Sequence, residues 1–87
     1  MKAFVYILKD DRSRYYIGST TDLTRRLNQH KYKHTQTTSR MLNPRLVLQQ
    51  EYVSIEEARK IERKLKKLKR KDYIEKIVSD GHIKMNP

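Results

Sequence analysis

The sequence has no cysteine and no tryptophan, and it has only two glycines, two prolines and one phenylalanine among 87 residues. The missing cysteines exclude disulfides and thiolate metal sites, and they are typical of a reducing compartment. No apolar run is long enough for a membrane span or for the apolar core of a signal peptide. We therefore expect a cytoplasmic protein with no membrane partner.

Basic residues greatly outnumber acidic ones. The chain has 21 Lys and Arg against 10 Asp and Glu, which gives a formal net charge of +11. Such a chain attracts polyanions, with nucleic acid first and an acidic membrane surface second. The same balance is typical of a solvated basic domain, such as a ribosome-associated protein, so composition alone leaves these classes open.

The length and the hydrophobic pattern predict one small folded domain. A chain of 87 residues with 36% hydrophobic content has room for one small core. We place the domain at residues 1–80 and a short C-terminal tail at 81–87.

Two strands are predicted near the N-terminus. Residues 3–9 form a dense run of β-branched, aliphatic and aromatic side chains, and residues 15–19 are predicted as a second strand. The turn cluster at 10–14 joins them into an antiparallel hairpin. That register brings Tyr6 near Tyr16.

A helix is predicted over residues 22–32. Its two leucines define the buried direction on a helical wheel. The wheel places Arg26 and His30 at the rim of the buried face, whereas the neighbouring Arg25 faces solvent. Arg26 is therefore the arginine that we expect against the sheet.

The second half of the chain adds one strand and two helices. After a polar loop at 31–44, a strand is predicted at 45–53, and a capping box of Ser54 and Glu57 begins a helix. A last helix is predicted at 72–78. The element order predicts an α/β protein of the α+β type, with a small three-stranded antiparallel sheet flanked by helices.

Four short motifs, in this order, resemble those of the GIY-YIG endonucleases. Val5-Tyr6 and Tyr16-Ile17-Gly18 resemble the two halves of the signature, although Phe4 stands where that family has glycine. The segment 26–30 resembles the arginine helix of the family, and 58–63 resembles the helix with its metal-binding glutamate. The resemblance covers nearly the whole chain. It is closest to small stand-alone proteins similar to the nuclease domain of the excision-repair incision subunit.

The resemblance implies a GIY-YIG fold and hydrolysis of DNA phosphodiester bonds with one divalent ion, Mg²⁺ or Mn²⁺. Glu62 would be the sole protein ligand of that ion, which keeps its waters. Arg26 would hold a phosphate oxygen. Tyr6 would activate the attacking water, while Tyr16 and His30 would orient water and phosphate or relay the proton. Both tyrosines stay candidates for the base.

Further residues are candidate substrate contacts. Gly18 would let the backbone approach the substrate closely, and Ser19 offers backbone and hydroxyl donors. The basic run at 63–71 would track phosphates, through the side chains of Lys66, Lys67 and Arg70. The polar loop adds three candidates, which are Tyr32, His34 and Arg40.

The expected partner is duplex or branched DNA in the cytoplasm, at the nucleoid, in DNA repair or processing. No second DNA-binding domain is predicted, so target choice would come from a partner protein or from DNA shape. Two alternatives remain: a non-catalytic nucleic-acid-binding module of the same fold, and an accessory protein docking on a repair or ribosomal assembly. Neither alternative requires Glu62, because a carboxylate repels phosphate unless a metal ion lies between them.

Overall fold

The computed structural model of the protein describes residues 1–31, 41–68 and 70–85. Its elements are, in chain order, β1 (Ala3–Lys9), β2 (Tyr15–Thr20), α1 (Leu23–Lys31), β3 (Arg45–Tyr52), α2 (Ile55–Leu68) and α3 (Lys71–Asp80). The strands form one antiparallel sheet in the order β2-β1-β3. The predicted α+β architecture is confirmed. None of the helices in the described ranges has the length and apolar character needed to cross a bilayer.

Short-range signals set the helix ends. Asp22 Oδ1 accepts a hydrogen bond from the N–H of Arg25 at 3.0 Å, so Asp22 caps α1. Ser54 Oγ accepts one from the N–H of Glu57 at 3.3 Å, which is one of the two hydrogen bonds of a capping box. Gly81, with φ of 80°, ends α3 in the left-handed conformation.

Each face of the sheet has its own core, because successive strand residues point to opposite faces. On one face, Val5, Ile7 and Ile17 pack with buried residues of α2 and α3, among them Ala58, Ile61, Leu65, Ile74 and Ile77. On the other face, a smaller cluster of Tyr6, Leu8 and Met41 packs with Tyr16, Leu23 and Leu27. The second face, covered by α1, is called the α1 face below.

A buried carboxylate holds the turn between β1 and β2. Asp10 is fully buried and accepts hydrogen bonds from the backbone N–H of Arg12, Arg14 and Leu42, at 3.0, 2.8 and 3.3 Å. Arg14 Nε adds another at 2.9 Å. Burial alone would raise the pKa of Asp10, but these hydrogen bonds and the Arg14 charge outweigh it and lower the pKa to about 2. The turn is therefore tied to the segment that precedes β3.

Candidate active site

Four of the five predicted catalytic side chains lie together on the α1 face. Tyr6 in β1 is paired with Gly18, and the ring centroid of Tyr16 in β2 lies 6.2 Å from that of Tyr6. Helix α1 adds Arg26 and His30, because these two positions are one helical turn apart. The His30 ring centroid lies 5.6 Å from that of Tyr6 and 4.9 Å from that of Tyr16.

The Tyr6 hydroxyl is the centre of a hydrogen-bonded network. Its oxygen lies 2.8 Å from His30 Nε2, and Arg26 Nε donates to it at 3.2 Å. Arg26 Nη1 also donates to Gln29 Oε1 at 3.0 Å, which orients the guanidinium from a second side. Tyr6 and His30 are buried, whereas Arg26 is partly exposed.

Burial sets the protonation states of this network. Burial raises the pKa of Tyr6 to about 12, although the hydrogen bond and the charge of Arg26 act against that rise. Burial and the Arg26 charge lower the pKa of His30 to about 4. At neutral pH the network therefore contains a neutral phenol, a neutral imidazole and one guanidinium. We assign the imidazole hydrogen to Nδ1, so that Tyr6 donates to Nε2 and accepts from Arg26.

Gly18 lies buried beneath the Tyr6 ring. A Cβ atom at this position would lie 2.5 Å from Tyr6 Oη and 2.6 Å from Tyr6 Cζ. The sequence predicts that Gly18 lets the protein backbone approach the substrate closely, and this stays a prediction. In the structure, the Tyr6 side chain lies where a Gly18 side chain would be. The glycine makes room for the phenol that anchors the hydrogen-bonded network.

Glu62 lies on the opposite face of the sheet, on α2. Its carboxylate accepts a hydrogen bond from the Ser19 hydroxyl and forms an ion pair with Lys66, with 2.7 Å between Nζ and Oε2. Its side chain is 20% exposed, so solvent ions reach it. Within the described ranges, no cluster of three or more His, Cys, Asp or Glu side chains could hold a metal. Glu62 is therefore not part of such a cluster.

An open groove of about 340 Å³ joins the two faces around the end of β2. It is lined by Ser19, Thr20, Thr21, Arg25, Arg26, Ile55 and Arg59. Arg26 connects this groove to the tyrosines, and Ser19 connects it to Glu62. Arg25 is exposed, as the helical wheel predicts, yet it also lines the groove.

Arg59 also lines the groove, although it is not among the predicted site residues. Its position three residues before Glu62 could have identified it from the sequence, because side chains at that spacing lie on neighbouring parts of a helix surface. The three loop candidates, Tyr32, His34 and Arg40, lie outside the described residues.

The basic run is divided among different surfaces. Lys66 is paired with Glu62, and Arg70 Nη2 is paired with Asp72 at 3.0 Å. Lys66 and Arg70 line one groove together, whereas Lys67 is exposed on the outer face of α2 beside Lys60, Arg63 and Lys64. The three substrate contacts predicted in this run therefore do not form one patch.

Comparisons with known proteins agree with this architecture. A family model described as the GIY-YIG catalytic domain matches residues 2–76. A "UPF0213 protein" of Streptococcus pneumoniae serotype 4 is 41% identical over 70 residues, which cover 79% of this chain and 71% of that protein. A UPF0213 protein of a second Streptococcus pneumoniae strain is 40% identical with the same coverage. The solution NMR structure of a UPF0213 protein from Bacillus halodurans is similar at 33% identity and a TM-score of 0.59, covering 93% of this chain and 87% of that one.

Proposed function

The chain belongs to the family of GIY-YIG catalytic domains, and from this membership and the site geometry we propose that it is a metal-dependent DNA endonuclease. It would hydrolyse phosphodiester bonds with little sequence specificity, with targets chosen by DNA shape or by a partner protein. The observation that carries the proposal is the buried network of Tyr6, His30 and Arg26 beside an arginine-lined groove.

The groove suits a phosphodiester. Three guanidinium groups line it, from Arg25, Arg26 and Arg59. Planar guanidinium groups bind phosphate oxygens through paired, charge-assisted hydrogen bonds. Arg26 is already oriented by Tyr6 and Gln29, so it loses little freedom on binding. We assign the scissile phosphate to Arg26 and the adjoining phosphates to Arg25 and Arg59.

Burial separates the roles of the two tyrosines. Tyr6 is 0% exposed, whereas Tyr16 is partly exposed. Tyr16 is therefore the tyrosine that would contact the attacking water. It would first release its own proton to solvent, and the phenolate would then take the proton of the water and return to a phenol. The neighbouring Arg26, whose pKa is raised by its contacts with Tyr6 and Tyr16, would stabilise the phenolate before that transfer. Tyr6 would then orient the side chains of Arg26 and His30.

His30 would accept a proton only after the substrate binds. Burial and the charge of Arg26 are the two causes that lower its pKa. A phosphate bound to Arg26 neutralises the second cause, so the imidazole becomes a better proton acceptor in the complex. The rings of His30 and Tyr16 pack edge to face, with 4.9 Å between their centroids.

Glu62 fits a hard cation. The Lys66 ammonium, 2.7 Å from Oε2, shows that a cation is accommodated beside this carboxylate. A single carboxylate is suited to Mg²⁺ or Mn²⁺, which keep several waters. Glu62 would hold the ion, while the Ser19 hydroxyl orients the carboxylate. The bound ion supplies stabilisation of the charge that develops on the leaving oxygen.

A nicking assay tests the proposal, on duplex, branched and single-stranded DNA, with and without Mg²⁺ or Mn²⁺. We expect the parent protein to cut only with the ion. Glu62→Gln should abolish cutting and retain DNA binding, because only the carboxylate charge is lost. Glu56→Gln, at an exposed position in the first turn of the same helix, is the matched control and should keep both.

Two outcomes would contradict the proposal. Cutting by Glu62→Gln at the parent rate would remove Glu62 from the site. Salt-sensitive binding by the parent without cutting of any substrate would favour the non-catalytic nucleic-acid-binding module.

A further inference from the structure

The outer face of α2 carries a stripe of cations, called the ridge below, that consists of Lys60, Arg63, Lys64 and Lys67. All four are exposed, and they border a shallow depression of about 280 Å³. The opposite side of the helix is buried against the sheet. The ridge is therefore presented to solvent by the packing of α2.

The ridge is unfavourable in isolation. Its members are three or four residues apart along the helix, so each cation has another cation as its neighbour. Among the described residues, no carboxylate forms an ion pair with Lys60, Arg63 or Lys67. The ion pairs formed by the rest of the basic run instead use Lys66 and Arg70. An anionic ligand lying on the stripe would offset this repulsion.

The ridge continues the arginine-lined groove. Arg59 lines the groove, Arg63 lies one helical turn further along α2, and Lys67 lies one turn beyond Arg63. From Arg59 to Lys67 the helix rises by about 12 Å. This length corresponds to about four nucleotide steps of one strand in a duplex.

We propose that the ridge binds the phosphates of duplex DNA on one side of the scissile phosphate. The ridge would supply affinity, while the groove and the tyrosines supply the chemistry. The proposal rests on the proposed function, because it takes the groove as the place of cleavage. It predicts a one-sided footprint, in which about four base pairs beyond the groove are needed for full affinity.

The test compares Arg63→Gln/Lys67→Gln with Lys76→Gln/Lys84→Gln. The control variant loses the same charge on α3 and the C-terminal segment, where both lysines border a separate cavity. Binding is measured with Glu62→Gln in every protein, on duplexes shortened from one end, then from the other, over a range of salt concentrations. Cleavage is measured with Glu62 intact.

We expect the salt dependence of the ridge variant, as the slope of log K against log salt, to fall by about 2, or about 0.9 for each lost phosphate contact. Its KM should rise by a larger factor than its kcat falls, and the control should keep the parent kcat and KM. The loss of affinity in the ridge variant, relative to the parent, should disappear when the duplex is shortened on one side and persist when it is shortened on the other. Thermal unfolding should occur at or above the parent temperature, because repulsion between like charges is removed.

Equal salt dependences of DNA binding in the ridge and control variants would overturn the ridge proposal. A loss of affinity that does not depend on duplex length would also overturn it. Either result leaves the proposed cleavage standing. A parent protein that cuts no DNA but shows the one-sided length dependence would retain the ridge and overturn the proposed function, so the two failures are distinguishable.

Discussion

Arg26 affects its neighbours through charge as well as hydrogen bonding. Together with burial, its charge holds the pKa of His30 at about 4. In Arg26→Gln the charge is removed while the burial remains, so the His30 pKa should rise from about 4 but stay below its ordinary value of 6.5. NMR titration of the imidazole measures this change. Arg25→Gln, at an exposed position one residue away, should leave the His30 pKa unchanged.

The same two variants separate the arginines in catalysis. Removing a preorganised donor to a reacting phosphate costs on the order of 100-fold in rate, and we expect this loss for Arg26→Gln. Arg25→Gln should cost much less, since Arg25 does not contact Tyr6. Equal losses, or an unmoved His30 pKa in Arg26→Gln, would contradict the assigned role of Arg26.

Lys66 occupies the side of Glu62 at which we place the divalent ion. Lys66→Gln removes this competitor, and a partly exposed ion pair is worth about 0.2–1 kcal/mol. Mn²⁺ should therefore bind about 1.4- to 5-fold more tightly to this variant, as measured by electron paramagnetic resonance titration without DNA. Lys67→Gln removes the next charge along the helix, on the ridge, and is the matched control. Mn²⁺ binding to Lys66→Gln that is no tighter than to the control would show that Lys66 does not compete with the ion.

At the scale of the elements, Asp10 connects the β1–β2 turn to the segment before β3. Its folded pKa of about 2 lies below its ordinary value of 3.8. The stabilisation by this carboxylate is therefore complete above about pH 4 and is lost as the pH falls toward 2. Asp10→Asn should unfold more easily at pH 7 and should lose less stability between pH 4 and pH 2. Urea unfolding at a series of pH values measures both effects.

Asp11→Asn is the control for this measurement. Asp11 is exposed and bonds to Asn43 and Arg45, at 2.9 and 3.0 Å. Exposed ion pairs contribute little to stability. An Asp10→Asn variant as stable as Asp11→Asn at pH 7, with the same acid profile as the parent, would show that Asp10 does not hold the turn.

The elements were predictable because their signals are local. The dense apolar run of β1, the capping residue Ser54, and Gly81 after α3 each act within a few residues. The helical wheel also placed Arg26 against the sheet, which its bond to Tyr6 confirms. These signals need no knowledge of how the helices pack.

The groove and the burial of its neighbours were not predictable in the same way. Arg59 reaches the groove only because α2 packs against the sheet beside the end of β2. The space around Gly18 depends on the strand register and on the side-chain direction of Tyr6. The burial that distinguishes Tyr6 from Tyr16 is likewise a result of tertiary packing, which one sequence does not specify.

At the scale of the whole molecule, the net charge of +11 predicts a polyanionic partner but not the part of the surface that the partner would contact. The folded chain divides the basic run, which looks uniform in the sequence. Ion pairs engage Lys66 and Arg70, whereas Lys67 joins the ridge. The surface along which a polyanion would lie follows from where the fold places each cation and which of them it pairs, and this depends on the orientation of α2.

The unequal cores on the two faces of the sheet have a consequence for how the protein would fail. Among the described residues, the α1 face has the smaller core, and Tyr6 and Tyr16 are part of its packing. Opening of this layer would disperse the candidate catalytic groups while α2 and α3 still covered the other face. Regions with fewer buried apolar contacts open at lower free energy than the whole domain unfolds. We therefore expect the working lifetime on warming to be limited by opening of the α1 face, at temperatures where α2 and α3 still cover the other face.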